Sequence, residues 1–293
     1  MDRFLIFALE RSGSSSLAAA LNLELSVVQE PFSSQTGALQ NHPRFIELVT
    51  ENGLLPEHLP EPGYVPYAFN RYHVLALNKD RCGDYLSLLY GQFQGLKHVW
   101  NTVSREANLN ILEWCLDHDI RIIFLTRENL LRSQLSRQLA QQAKVFQLGA
   151  QLQHKEQWEQ AGFEPIDVQE FFKELDKTEK NAHFYREFLK GRPHFFLTYE
   201  QLYQGSLRRR KRVFQSLCVF LSTTPSNLNE QSINTYLFSK ERKQTRSVTL
   251  RRVPNYYRLL ARHLFVKAGL FRLARFFYHR SGLRKLYHSL LGQ

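Results

Sequence analysis

The sequence predicts an α/β protein in which a parallel central sheet is flanked by helices, and three observations support this prediction. Short apolar runs alternate with helical segments along the chain, as they do in β-α-β units. The run at 121–126 holds successive bulky apolar residues without alternation, which is typical of a parallel strand covered on both faces. Polar clusters follow several of these runs, and in such sheets ligands bind at the carboxyl ends of the strands.

The first predicted strand and helix enclose a turn rich in Gly and Ser. The apolar run that starts at Phe4 ends at Leu9, and good helix formers begin at Leu17. Between them lie a cation, a glycine and four hydroxyls: Arg11, Gly13, Ser12, Ser14, Ser15 and Ser16. Backbone amides and the helix dipole favour anions at such a position. The turn therefore predicts a phosphate or sulfate site, with an ordinary N-capped helix as the alternative.

The remaining elements are expected in an order that alternates strand and helix. A second short strand covers 25–32 and ends at Glu30 before Pro31, and 33–63 is expected to form a short helix and a loop beside the substrate. The further predicted strands are 96–100, 121–126 and 194–199. The further predicted helices are 108–117, one starting at 127–136, 138–162, 168–189 and 207–221.

Composition indicates a folded protein with an uneven charge distribution. Hydrophobic residues make up 43% and charged residues 23% of the chain, as in ordinary globular proteins. Three cysteines at distant positions predict reduced thiols and a cytoplasmic location. No apolar run approaches the ~20 residues that span a bilayer. The net charge is +12, yet residues 242–293 contain thirteen Lys or Arg and no Asp or Glu, so the rest of the chain sums to −1.

The basic C-terminal part is predicted to be helical and to extend the main domain. We expect an α/β domain at 1–250 and a basic helical extension at 251–293, packed on that domain or continuing it. Leu and Phe recur between the cations from residue 253 onward. This pattern fits a helical layer packed on the sheet, or a segment that contacts an anionic membrane surface. Nucleic acid is not expected as a partner.

Three motifs, taken in order, resemble the sulfotransferases that use 3′-phosphoadenosine-5′-phosphosulfate (PAPS). The first is the turn Arg11 to Leu17, similar to a basic residue followed by Ser-Gly-Thr-Thr, with Ser here in place of both Thr. The second is a strand that ends in Arg127, with Ser136 two helical turns on and Ser133 as an alternative. The third, Leu197 to Leu202, is similar to the Tyr-Glu-Asp-Leu sequence that closes a late strand. The resemblance covers about residues 3–260 and implies a P-loop-like sulfotransferase fold.

The resemblance also implies which residues bind the donor. Arg11 and the serines of the turn, Ser12 to Ser16, would hold the 5′-phosphosulfate, and Arg11 would stabilise the leaving phosphate. Arg127 with Ser136 or Ser133 would hold the 3′-phosphate. Lys243 and Arg246 would close over that phosphate as a basic C-terminal segment. No metal site is expected.

Two residues are candidates for the base that accepts the proton of the acceptor hydroxyl. Glu30 ends the strand beside the turn, and its Glu-Pro-Phe setting resembles the position of a catalytic Glu in carbohydrate-type sulfotransferases. His98, next to Lys97, lies near the place where cytosolic members carry Lys-Thr-His. Adjacent strand residues face opposite sides. Lys97 and His98 therefore cannot both point into one site unless the strand carries a bulge.

The sequence thus predicts a PAPS-dependent sulfotransferase that acts on a hydroxyl of a glycan, a glycolipid or a small metabolite. One alternative is a nucleotide-dependent kinase on a related fold, which the missing P-loop Lys disfavours. Another is a catalytically inactive relative that binds membranes or nucleic acid through the basic tail. No motif identifies the acceptor.

Overall fold

A computed structural model describes residues 2–32, 43–52, 72–142, 162–223, 233–234, 237 and 253–267. The chain divides into two compact units, Met1–Glu128 with Ala182–Glu241, and Asn129–Asn181 with Arg242–Gln293. This division by contacts differs from the predicted domains 1–250 and 251–293, which stay a prediction about folding. Predicted donor residues Lys243 and Arg246, and the helices expected after residue 267, lie outside the described residues.

The first unit contains one parallel sheet, which confirms the predicted fold class. The strands described are β1 (Phe4–Ala8), β2 (Val27–Gln29), β3 (Gly95–Val99), β4 (Arg121–Thr126) and β5 (His194–Thr198). Their order is β2-β3-β1-β4-β5, and every pairing is parallel. The architecture is α/β and is consistent with a P-loop-like fold.

The helices of the chain follow the strands in the expected alternation. They are α1 (Ser14–Leu25), α2 (Pro43–Glu51), α3 (His73–Leu77), α4 (Lys79–Gln92), a 3-10 turn (Trp100–Thr102) and α5 (Arg105–Asp117). Later in the chain come α6 (Leu130–Gln142), α7 (Val168–Leu189), α8 (Tyr199–Tyr203), α9 (Leu207–Phe220) and α10 (Tyr256–Lys267). The sequence did not predict α3 and α4, and the predicted helix 138–162 is described only as far as Gln142, at the end of α6.

Strand β1 is buried at every position, which shows that both faces of the sheet are covered at this central strand. On one face, Phe4, Ile6 and Ala8 belong to a core that also contains buried residues of α1 and α9. On the other face, the Phe7 ring packs edge-on against Tyr185, with 5.0 Å between ring centroids. This double coverage explains why β1 and β4 show no polar alternation.

The second unit has an apolar core of its own. Leu131, Leu135 and Leu139 of α6 pack with Phe171 and Leu175 of α7 in this cluster, which also includes Leu259 of α10. The spacing of these α6 residues is that of one helical face. Helix α10 therefore confirms a helical segment within the basic C-terminal part, at residues 256–267.

Candidate functional site

The strand order defines where a ligand site belongs in the first unit. The connection from β1 leads to β2 at one end of the sheet, whereas the connection from β4 leads to β5 at the other end. In open parallel sheets, ligands bind beyond the carboxyl ends of the strands at such a reversal. The segment after β1 and the segment after β4 meet here, because Nη1 of Arg127 donates to the carbonyl oxygen of Arg11 at 3.1 Å.

The turn after β1 has the backbone of an anion-binding loop. Arg11 and Gly13 both have positive φ, at 63° and 81°. Helix α1 begins at Ser14, and no side chain caps its first turn. The amides of Gly13, Ser14 and Ser15 find no acceptor within the described part of the chain. Successive free amides at a helix N-terminus form a concave site for anions.

Tyr203 contacts this loop at Gly13. Its hydroxyl donates to the carbonyl oxygen of Gly13 at 2.8 Å. A Cβ added at Gly13 would stand 2.4 Å from Cε2 of the Tyr203 ring. Glycine is therefore required at this position both for its φ and for the approach of the ring. No local sequence pattern predicts this role of Tyr203, because the contact joins residues 190 positions apart.

Lys97 joins the loop to Glu30. Its side chain is only 2% exposed, and its Nζ forms an ion pair with Oε1 of Glu30. The same Nζ lies 3.3 Å from Oγ of Ser15. Glu30 is 39% exposed at its side chain, and its backbone turns at φ 53° directly after β2. A buried ammonium thus connects a carboxylate to the hydroxyl of the predicted anion loop.

His98 takes the opposite face of β3, as the strand geometry predicts. Its Nε2 lies 2.8 Å from Oδ1 of Asn108 on α5. The imidazole is buried and contacts the rings of Phe7 and Phe32. Strand β3 keeps a regular register with β1 through Val99, so no bulge brings Lys97 and His98 together. The role of His98 as a base remains a prediction, but its side chain does not join the Lys97 contacts.

Burial lowers the pKa of His98 from 6.5 to about 4. The hydrogen bond to Asn108 and the charge of Glu30 oppose this shift, and Lys97 adds to it. The folded protein therefore keeps this imidazole neutral across a range of pH in which the unfolded chain protonates it.

We expect the free energy of unfolding to fall as the pH drops from 6.5 to about 4, because the unfolded chain gains a proton that the folded state excludes. The loss of unfolding free energy that is due to His98 reaches about 3 kcal/mol below pH 4. Replacement His98→Gln keeps an amide facing Asn108 and removes the titration. Urea denaturation at a series of pH values from 7.5 to ~4.5 should show a shallower pH dependence in the variant. Equal slopes in the two proteins would contradict this assignment.

Arg127 is held by residues of two other segments, the turn after β1 and helix α8. In addition to its bond to Arg11, its Nε lies 3.8 Å from Oε1 of Glu200 on α8, and its guanidinium carbon lies 4.4 Å from the centroid of the Tyr199 ring. Oε2 of Glu200 accepts the backbone amide of Glu128 at 2.9 Å. The third sequence motif is therefore in contact with the second one. No role was predicted for Glu200 from the sequence.

The guanidinium of Arg11 lies in a strongly desolvated position. Burial lowers its pKa, and the charge of Arg127 lowers it further, whereas Glu10 and Tyr199 act in the opposite direction. Two cations at this edge of the sheet favour an anion between or beside them. The backbone amide of Glu10 donates to Oδ1 of Asn101 at 2.9 Å, and Nδ2 of Asn101 donates to Oε2 of Glu10 at 3.3 Å.

The predicted 3′-phosphate serines belong to the second unit. Ser133 and Ser136 are both buried on α6, where positions three apart share a helix face. The choice between them stays open.

Comparison with known proteins adds no family to this description. Neither a protein-family model, nor a curated protein, nor a solved structure matches the chain. Among the helices that the structure describes, none combines the length and apolar character needed to cross a membrane.

Proposed function

We propose that the chain is a PAPS-dependent sulfotransferase that acts on a hydroxyl group of a glycan, a glycolipid or a small metabolite. The observation that carries the proposal is the Lys97 side chain, which touches both the anion loop at Ser15 and the candidate base Glu30. Sulfuryl transfer requires a bound anionic donor on one side of the sulfuryl group and a proton acceptor on the other side. Lys97 places these two functions within the reach of a single side chain.

The residues around the loop fit the donor chemically. A phosphosulfate needs several N–H donors, and the loop offers the free amides of Gly13, Ser14 and Ser15. A phosphate dianion suits a guanidinium fork, which Arg127 supplies at the end of β4. Arg11 lies in a desolvated place where its attraction for an anion is strong.

The proposed reaction is an in-line displacement at sulfur. Glu30 accepts the proton of the acceptor hydroxyl while the oxygen of that hydroxyl forms the new bond to sulfur. The bond between sulfur and the 5′-phosphate oxygen breaks, and 3′-phosphoadenosine 5′-phosphate leaves with its negative charge held by the loop and Arg11. Lys97 stabilises the charge on the sulfuryl oxygens during transfer, because its ammonium is already desolvated and positioned. Positioning and charge stabilisation carry most of the effect in such loose transition states.

A cytoplasmic location is part of this proposal. All three cysteines, Cys82, Cys115 and Cys218, are free and buried, which suits a reducing compartment.

Binding of 3′-phosphoadenosine 5′-phosphate tests the proposal directly. Calorimetry should show binding to the wild-type protein, and Arg127→Ala should weaken it by about 10- to 100-fold through the loss of charge-assisted hydrogen bonds. Arg127→Lys should recover only part of the affinity, since an ammonium cannot bind a phosphate in two places.

The matched control is Arg186→Ala, because Arg186 also lies over an aromatic ring, that of Phe196, at 4.2 Å. The affinity of the Arg186→Ala variant for 3′-phosphoadenosine 5′-phosphate should equal that of the wild type. A wild-type protein that binds ATP with Mg²⁺ but not 3′-phosphoadenosine 5′-phosphate would favour the kinase alternative and overturn the proposal.

A further inference from the structure

Helix α9 carries the densest run of positive charge in the described structure. Five consecutive cations, Arg208 to Arg212, occupy its first two turns. The helix contains no Asp or Glu at any position. This run lies outside the basic tail, so the near-neutral sum of charge before residue 242 conceals a local concentration of cations.

One face of α9 is fixed against the protein core. Phe214, Leu217 and Cys218 are buried in the same core cluster as α1. Arg210 is only partly exposed, and its Nη2 donates to the carbonyl oxygen of Leu237 at 3.0 Å. The orientation of the helix is therefore set by its apolar side, and Arg210 belongs to the inner face.

The other four cations face solvent. Arg208, Arg209, Lys211 and Arg212 are exposed, and their side chains form no ion pair with any residue that the structure describes. The exposed lysines of α7 differ, because Lys173, Lys177 and Lys180 each lie within 4.0 Å of a carboxylate one turn away.

The position of the cations is unfavourable for the helix itself. Their charges stand in the first two turns, beside the positive end of the helix dipole. Ser206 caps the helix by accepting the amide of Arg209 at 3.4 Å, but no acidic residue lies in the first turn. Helix stability therefore does not explain the run, whereas an external anionic surface would offset the repulsion.

One apolar side chain lies on this outward face. Val219 is 75% exposed. At about 100° per residue, Arg208 and Arg212 lie within about 20° of Val219 around the helix axis, and all three are exposed. Leu207 is also half-exposed, but it stands at the first residue of the helix and about 120° away from Val219.

We propose that the outward face of α9 binds the anionic surface of a phospholipid bilayer. Cations around an exposed apolar residue match the headgroup region, where Lys and Arg meet phosphate and the apolar side chain enters the acyl boundary. A nucleic acid would use the cations but would leave Val219 in water. The C-terminal segment 242–293 has no acidic residue with which to cover this face. The inference does not depend on the proposed reaction.

Co-sedimentation of the full chain with phosphatidylcholine vesicles, with and without phosphatidylserine, tests the proposal. We expect binding only when phosphatidylserine is present, and weaker binding as salt rises past about 0.15 M. Changing Arg208, Arg209, Lys211 and Arg212 together to Gln should reduce the partition coefficient by about 1,000-fold. Val219→Ser should reduce it by roughly threefold.

A matched control removes the same net charge elsewhere. Lys173, Lys177, Lys180 and Lys190 are exposed lysines of α7 and its C-terminal flank, each close to a carboxylate. Changing these four to Gln should leave vesicle binding near the wild-type level.

Three results would overturn the proposal. The wild-type chain could fail to bind phosphatidylserine vesicles at low salt. The α9 variant could bind them as strongly as the α7 variant, which would assign the effect to total charge or to the tail. Finally, binding of duplex DNA could depend on the α9 cations while binding of vesicles does not, which would identify the partner as a nucleic acid.

Discussion

Replacing Glu30 with Gln is expected to reduce sulfuryl transfer by about 100- to 10,000-fold, the usual contribution of a general base. The amide keeps the size of the side chain but cannot accept the proton of the acceptor hydroxyl. Binding of 3′-phosphoadenosine 5′-phosphate should persist or strengthen, because Lys97 loses its carboxylate partner and becomes available to the anion. The measurement is transfer of labelled sulfate from PAPS to a panel of hydroxyl acceptors, together with calorimetry of the nucleotide.

Glu10→Gln provides the matched control for this experiment. Glu10 lies at the same edge of the sheet, where its carboxylate accepts from Asn101 and its charge acts on Arg11. Its replacement should change transfer by less than about tenfold, because Glu10 accepts no proton in the proposed reaction. If Glu30→Gln retains wild-type turnover in a folded protein that binds the nucleotide, the base lies elsewhere and the reaction scheme is wrong.

Gly13→Ala is expected to destabilise the protein by about 2–5 kcal/mol and to abolish nucleotide binding. Part of the loss comes from the positive φ of 81°, which costs a residue with a Cβ about 1–2 kcal/mol. The rest comes from the new Cβ, which would meet the Tyr203 ring at 2.4 Å and force the ring or the loop to move, at about 1–3 kcal/mol. Chemical denaturation and calorimetry of 3′-phosphoadenosine 5′-phosphate measure the two effects.

Two other glycines separate these causes. Gly191 also has a positive φ, at 74°, but its added Cβ would meet nothing within 4 Å, so Gly191→Ala should show the backbone cost alone. Gly91 lies within α4 and has free space around it, so Gly91→Ala should stabilise the helix by about 0.5–1 kcal/mol. A Gly13→Ala loss no larger than that of Gly191→Ala would show that the Tyr203 contact is unimportant.

The periodicity of the chain was enough to predict its long buried elements. The uninterrupted apolar residues of β4 and the first strand are visible in sequence because both faces of these strands are covered. The segments at 73–92 were not assigned, because helix α4 mixes Gly, Asp and Lys with apolar residues and has no clear amphipathic period. Tertiary packing of Tyr85, Leu86 and Leu89 compensates for that weak local pattern.

The candidate site was predictable in its parts but not in its connections. The turn at Arg11 to Ser16 is a local motif, since a strand, a glycine and a helix start within ten residues specify it. The partners of Lys97 were not predictable, because the ion pair with Glu30 joins residues 67 positions apart. Strand alternation correctly separated Lys97 from His98, but which of the two faces the loop depends on the side of the sheet that α1 covers.

The sequence by itself determined an α/β chain with a Gly- and Ser-rich turn after the first strand, because backbone conformation and hydrophobic period are local properties. Only the tertiary structure decided that Lys97 is the side chain between the loop and Glu30, that Tyr203 supports Gly13, and that Arg127 contacts Arg11. These contacts depend on strand order, which brings distant segments to one edge of the sheet. The same holds for α9, whose cations face solvent because its apolar side is committed to the core.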